Sequence, residues 1–564
     1  MAQLENKTLF FTTSPRTPAK MIPEIRLLHE QFEGKVWTGK AGVQEQFADA
    51  LAQADFFEGK VSSKYKTFTA RDRITRAPKS LGFIDLSPAI ALTEAGNAFV
   101  YGKRPQEVYL RQLLKFQLPS PFHTEHRNIT GTFYVRPYLE IMRLVRKLEY
   151  ITFDELKIFA VQLTDYRKFE EIKAAILLFR AEKQNHKGEY KRFVNDVWTE
   201  AIKTIYRDNI IAGKTKTRET KDASLETFIK TKKGILRDYA DACFRYLRYT
   251  GLITIAHKSR TISFFADKLP EVDYVLSTVE RNPVYIGDEA AYKTHLFSAT
   301  QPALYVDIKE NIVDTLMRIG TYTKRELISK TTDELKDLRD NILQARKDAV
   351  ITAQVEQIKS YALYSEIMDT YNEIISDELY DAPLMLEYNT WRAMTMLDGG
   401  DIKGNFKFDD AGQPLSTAQG NMPDIECDYG DFVLSVEVTM QSGQRQYETE
   451  GEPVARHYGQ MKTRTGKNAY CLFIAPTINP AALSHFYALN QINIGYYGGK
   501  AQIIPLELDQ FMRLVDTAYN TSKRPEPHDV QQFLNSAIEQ VPLAANETEW
   551  SERIQGCVDQ WLTA

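Results

Sequence analysis

Two short runs near the C-terminus, FVLSVEVTM at 432–440 and AYCLFIAP at 469–476, are apolar at successive positions rather than at every second one. Such strands carry apolar side chains on both faces. They must be covered on both faces, which calls for a sheet with helices packed on either side. A third run, IGYYGGKAQIIPLEL at 494–508, supplies a further strand. The chain from about residue 383 onward therefore reads as α/β around a central mixed sheet.

At 564 residues the chain exceeds what one core holds, so two or three domains are expected. Helical periodicity runs from Tyr138 to Leu163 through Ile141, Leu144, Leu148, Leu156, Phe159 and Leu163, and again over 172–182. Residues 224–265 read as helix, helix, hairpin. KGILRDYADACFRYLRYTG ends at Gly251 as a C′ residue, and LITIAHKSRTISFF alternates as two strands around His257-Lys258-Ser259. A helix followed by a basic-tipped hairpin is a winged-helix pattern, and LTEAG at 92–96 resembles pieces found beside the wing of such modules. Residues 266–300, with Pro270 and Pro283, read as a connection, and 309–377 as helical. The expected organisation is multidomain, α+β then α/β. It has winged-helix-like DNA-recognition subdomains over 1–265, a linker over 266–300 and a catalytic α/β domain over 301–564.

The net charge of −4 conceals a division: residues 1–270 hold 46 Lys and Arg against 31 Asp and Glu, and the remainder holds 25 against 44. A net of +15 beside one of −19 fits a polyanion-binding module joined to something else. No apolar run nears the roughly 18 residues that would span a bilayer. MAQLENKTLFFTTSPRTPAK has no signal-peptide core, so no membrane partner and a prokaryotic cytoplasmic location are expected. Cys243, Cys427, Cys471 and Cys557 are far apart and suggest neither a zinc knuckle nor a disulfide framework.

The chemistry is concentrated in MPDIECDYGDFVLSVEVTMQSGQRQYETEGEPVARHYGQ, residues 422–460. Asp424 opens one strand, and Glu437 lies thirteen residues on, a hairpin away on the next. Two carboxylates meeting at a sheet edge can share a hard cation that keeps open water positions, and such a cation activates water against a phosphodiester. This is the PD…(D/E)xK pattern of restriction-type nucleases, with Thr439 where the lysine usually stands. Glu450 and His457 are seven apart, two helical turns on one face. His457 reads as a proton relay, a phosphate contact or an ordinary surface histidine.

VEVTMQSGQRQYETEGEPVARH at 436–457 resembles the corresponding stretch of the AlwI-type family of type IIS restriction and nicking endonucleases. So do LMLEYNTWRAM at 384–394, LRQLLKFQLPSPFH at 110–123 and ARDRITRAPKSLGFIDL at 70–86, and the likeness extends over most of the chain. The resemblance implies that Asp424 and Glu437 are metal-ligand carboxylates for Mg²⁺, with Mn²⁺ as a substitute. It implies that Glu450 is a third required acid, His457 an active-site histidine and Glu387 a further acid upstream. Small residues at the place of Thr439 are usual in this family. Glu450, Lys462 and a second metal are the candidates for the missing lysine's work.

The implied activity is Mg²⁺-dependent phosphodiester hydrolysis in double-stranded DNA, a few bases outside a short asymmetric site. Cutting both strands calls for a catalytic-domain dimer or a second subunit; a monomer would nick. For the DNA contacts, Arg71, Arg73, Arg76 and Lys79 form one patch, Lys115, Gln117 and His123 a Pro-bounded loop, and Arg237, Arg245, Arg248, Lys258 and Arg260 the second winged-helix pattern. Two other readings stand beside this one, the first of which shares the charge division. One is a DNA-binding regulator with an inactive nuclease fold, and the other a repair or mobile-element nuclease that acts on DNA structure.

Overall fold

The structure, a computed structural model, describes residues 2–4, 7–57, 61, 64–125, 127, 130–397, 400–418, 422–521 and 524–562. The chain divides into two compact units, Met1–Ile342 and Leu343–Ala564. No helix among the described residues is long and apolar enough to cross a membrane.

In the first unit a three-stranded antiparallel sheet orders Tyr150–Thr152, Thr261–Phe264 and Ile253–Ala256. The expected run of helix over 138–163 is interrupted. Helix Pro137–Leu148 stops at Glu149, which takes φ of +68°, and a strand and then helix Phe153–Ile158 follow. Two local devices make that corner. Thr152 and Glu155 form a reciprocal capping box. Arg180 donates to Tyr150 O (2.8 Å) and to both Glu155 oxygens (2.8 and 3.0 Å) while lying over the Tyr150 ring. The two helices expected over 224–251 are one, Leu225–Tyr249, capped by Ser224 and burying Phe228, Leu236, Ala240, Cys243, Phe244 and Leu247 on one stripe. Gly251 follows at φ +73°, as its C′ position requires.

Residues 266–300 are not a bare linker. Helices Leu269–Thr278 and Glu289–Phe297 belong to the first unit, and Gln112 Nε2 donates to Leu296 O at 2.7 Å. The division falls at 342/343 instead of near 300, and ion pairs tie segment 301–342 into the first unit. Lys336 and Arg339 each meet Glu107 at 2.8 Å, Arg111 meets Asp307 at 2.6 Å, and Arg104 meets Asp340 at 2.7 Å.

The second unit is built on a five-stranded mixed sheet, ordered Ile503–Glu507, Asn468–Ala475, Phe432–Val438, Ile425–Asp428, Asp401–Gly404. The first two junctions are parallel and the last two antiparallel. The two central strands are buried nearly throughout, as their unbroken apolar runs demand. Helix Gly443–Thr465 forms the crossover between them and ends at Gly466 in the left-handed region, φ +65°. Helix Ala382–Leu397 is buried from Leu384 to Leu397, so it is an interior helix of this unit's core.

Candidate active site

The antiparallel register pairs Ile425 with Val436, so one step further Asp424 stands opposite Glu437. The backbone fixes both carboxylates. Val438 N–H donates to Asp424 Oδ2 at 2.8 Å, and Asp424 N–H donates to the Glu437 carboxylate. Asn405 braces the approach: its N–H donates to Asp424 O (2.9 Å) and its Nδ2 to Pro423 O (2.8 Å).

Helix Gly443–Thr465 brings two more groups to the same edge. His457 Nδ1 lies 2.9 Å from Glu437 Oε1, and Thr439 Oγ1 donates to Glu450 Oε1 at 3.0 Å. The buried helix Ala382–Leu397 contributes Glu387, whose Oε2 accepts the N–H of Ala418 at 3.2 Å. Glu387 and Glu437 are each 7% exposed. Burial, followed by the charge of Glu450, holds the Glu437 carboxyl well above the usual range, against the pull of Arg456. Burial and then the charge of Asp424 do the same to Glu387, with Asp381 and Glu437 adding.

Five acids and bases named from the sequence, Glu387, Asp424, Glu437, Glu450 and His457, thus interact in one place. Lys462 does not join them by any direct bond described here: its ammonium lies 3.5 Å from Tyr458 Oη and over that ring. Among the described residues no group of three or more His, Cys, Asp or Glu side chains is arranged to hold a metal ion. The donor chemistry nevertheless suits a hard divalent cation. Such an ion is held by one or two carboxylates, with water and substrate phosphate completing its shell. Crowded carboxylates with raised proton affinity are the groups it would relieve.

Sequence reading passed over Asn405, Glu426 and Gln446. Glu426 bonds Arg464 at 2.5 Å and adds its charge to Glu437. Gln446 is fully buried and staples Gln441 O, Thr477 O and Asn479 N–H at 2.9, 2.9 and 2.7 Å. A lone amide in a polar run carries no motif, so only the three-dimensional structure could reveal it.

The expected DNA contacts separate into two groups. Lys115, Gln117 and His123 are interior, which corrects their assignment. Lys115 Nζ donates to His295 O, Leu296 O and Ser298 O (3.2, 2.9 and 2.7 Å) at the end of helix Glu289–Phe297, and burial lowers its pKa to about 7. Gln117 exchanges two hydrogen bonds with the Val284 backbone (2.6 and 2.9 Å). His123, its pKa pushed down to about 4 by burial, faces Ser120 Oγ at 3.3 Å. Arg73 is committed to Glu24, which is 1% exposed; Arg245 pairs with Asp241 and Arg248 is buried.

Arg71 and Arg76 are exposed, although Arg76 is also held by Asp72 at 2.9 Å, and Lys79 lies half-buried over Phe122. Arg237 is largely exposed on helix Leu225–Tyr249. Lys258 is exposed at the hairpin tip, and Arg260 sits half-buried there at φ +51°.

The chain matches several solved structures, three of which are restriction endonucleases or parts of them. The small subunit of the heterodimeric restriction endonuclease R.BspD6I is 26% identical, over 35% of this chain and 99% of its own, with a TM-score of 0.30. The BpuJ1 endonuclease binding domain, solved with modified DNA, is 12% identical over 52% of this chain and 95% of its own, TM-score 0.33. The restriction endonuclease FokI is 11% identical over 94% and 99%, TM-score 0.24. A search of curated proteins returned no match. The sequence family described as AlwI restriction endonuclease matches residues 79–514, well over half of the chain and including all five groups of the candidate site. The chain belongs to the AlwI restriction endonuclease family.

Proposed function

We propose that this endonuclease reads a short asymmetric duplex site with its N-terminal unit and hydrolyses a phosphodiester a few bases outside it with its C-terminal unit. The class, a restriction-type DNA endonuclease, comes with the family. The observation that carries the mechanism is the placement of Asp424 opposite Glu437, with Glu387, Glu450 and His457 converging on them. Asp424 and Glu437 would hold Mg²⁺, or Mn²⁺ in its place. Bound there, the ion supplies a water of lowered pKa and shields the phosphate.

The chain's own groups do the remaining work. The Val438 N–H fixes Asp424, and His457 orients Glu437 through Nδ1. Glu450 or His457 would take a proton from the water as its oxygen bonds to phosphorus and the bond to the leaving oxygen breaks. In the first unit, helix Leu225–Tyr249 and the 253–264 hairpin would act as a winged helix, with Arg237, Lys258 and Arg260 toward DNA. Arg71, Arg76 and Lys79 would add phosphate and base contacts. One such site cuts one strand, so double-strand cleavage would take a second copy or a second subunit.

The test is to incubate the purified full chain with plasmid DNA and Mg²⁺ and to map both strands. Cuts at a fixed offset from one sequence are expected. Asp424→Ala should stop cleavage, a loss of at least about a thousandfold, while DNA binding stays within about twofold, the loss matching roughly 4 kcal/mol of transition-state stabilisation. Binding without cutting in Mg²⁺ and Mn²⁺ would favour a regulator, and cutting that ignores sequence would favour a structure-directed nuclease.

A further inference from the structure

Thr439 stands where the general nuclease pattern has its lysine. It is 8% exposed, and its N–H donates to Ile474 O at 3.1 Å, locking it to the neighbouring strand. Its hydroxyl oxygen accepts the N–H of Gln441 at 3.1 Å and lies 3.0 Å from Glu450 Oε1. A hydroxyl has one proton. The Gln441 N–H can only donate, and a carboxylate can only accept, so the Thr439 proton points at Glu450. Thr449 Oγ1 also reaches that oxygen, at 3.2 Å, but lies closer to Arg445 O, at 2.9 Å. Glu450 is half-buried, and its charge is the largest one acting on Glu437, so the two carboxylates repel each other at close quarters. The sheet-anchored Thr439 hydroxyl holds one oxygen of Glu450 at this position.

We propose that Thr439 is a positioning residue whose hydroxyl holds the Glu450 carboxylate beside Glu437, so that a tethered third acid occupies the place of the pattern's lysine. This rests on the nuclease reading of the same site. Asp424 and Glu437 would hold the ion, and the tether keeps a third acid beside them, where its charge favours the cation and its oxygen is in reach of the water.

The experiment measures steady-state cleavage of a single-site duplex by the full chain across a Mg²⁺ series, for wild type, Thr439→Ser, Thr439→Val, Thr439→Ala and Glu450→Gln. Thermal unfolding and DNA binding are recorded for each. Thr439→Ser should stay within about threefold of wild type. Thr439→Val should lose about ten- to a hundredfold in kcat, the loss expected for one hydrogen bond to a charged group. Its KM for DNA should be unchanged and its half-saturating Mg²⁺ concentration raised.

Thr439→Ala, which makes no new packing demand, should repeat the result if the valine variant folds poorly. A purely structural role would move the unfolding temperature without the Mg²⁺ shift or the rescue by serine. The proposal is overturned if serine falls as far as valine, if valine and alanine cut with wild-type kcat and Mg²⁺ dependence, or if Glu450→Gln cuts normally. A wild-type chain that cuts nothing in Mg²⁺ or Mn²⁺ would instead fail the nuclease reading itself, and this proposal with it.

Discussion

Arg73 is the residue at which charge and structure make opposite predictions. By charge it belongs to a DNA-facing patch; by structure Arg73→Ala should act on stability. Its Nε and Nη2 both donate to Glu24 Oε1, and Glu24 is buried among the packed helices of the first unit. Burial raises the Glu24 pKa from 4.5 to about 7, with Arg73 pulling the other way. Stranding a buried charge costs about 3–5 kcal/mol when the charge must remain. Here the carboxyl can take up a proton instead, and pH decides how readily.

A folded pKa raised above the unfolded value gives stability that is fully present below 4.5 and lost as pH rises through about 7. Without Arg73 the folded value climbs further, so the loss continues to higher pH at about 1.4 kcal/mol per unit. The expected cost is about 1 kcal/mol at pH 5, that of a hydrogen bond to a neutral acid, and about 2.4 kcal/mol at pH 8, one unit above the folded pKa. At about 2 °C per kcal/mol for a unit this large, Tm should fall by roughly 2 °C and 5 °C respectively. Thermal unfolding at the two pH values, with Glu24→Gln/Arg73→Ala as the control that removes the pH dependence, reads this directly. DNA affinity measured at 10 °C, where all variants are folded, should change less than twofold. If Arg73→Ala melts like wild type at both pH values and loses DNA affinity, the side chain faces DNA and the reasoning fails.

Lys115→Met should cost at least about 2 kcal/mol in chemical denaturation, because three buried carbonyls lose their donor, and leave DNA affinity of the folded protein unchanged. Arg237→Ala, by contrast, should leave stability within about 0.5 kcal/mol and lower the slope of log affinity against log salt by about 0.9, the release of one counterion; an unchanged slope removes it from the interface.

The C-terminal unit was largely legible because its signals are local. Unbroken apolar runs announced the two central strands, and a thirteen-residue spacing placed two carboxylates across one hairpin. Seven residues on a helix put Glu450 and His457 on the same side, where the structure has one on Thr439 and the other on Glu437. What escaped was non-local. Asn405 lies 19 positions before Asp424, and nothing in its neighbourhood marks it as the brace of that segment. In the first unit, periodicity alone could not see that Glu149 turns into the left-handed region. One of the two devices at that corner is Arg180, thirty residues from Tyr150, which donates to Tyr150 O.

Charge misled for a related reason. Composition counts cations but not their partners. A cation that faces DNA must reach solvent, whereas one that is buried must be satisfied within the fold. Lys115 and Arg73 are satisfied within it, by three carbonyls and by a carboxylate. Segment 301–342, expected in the catalytic half, is tied into the first unit by ion pairs of both polarities: Asp307 and Asp340 meet Arg111 and Arg104, and Lys336 and Arg339 meet Glu107. The +15 of the first 270 residues is therefore an upper bound on what DNA can meet. The sites worth mutating for recognition are those whose charge the fold leaves exposed: Arg71, Arg237 and Lys258, on a helix–turn segment, a long helix and a hairpin tip.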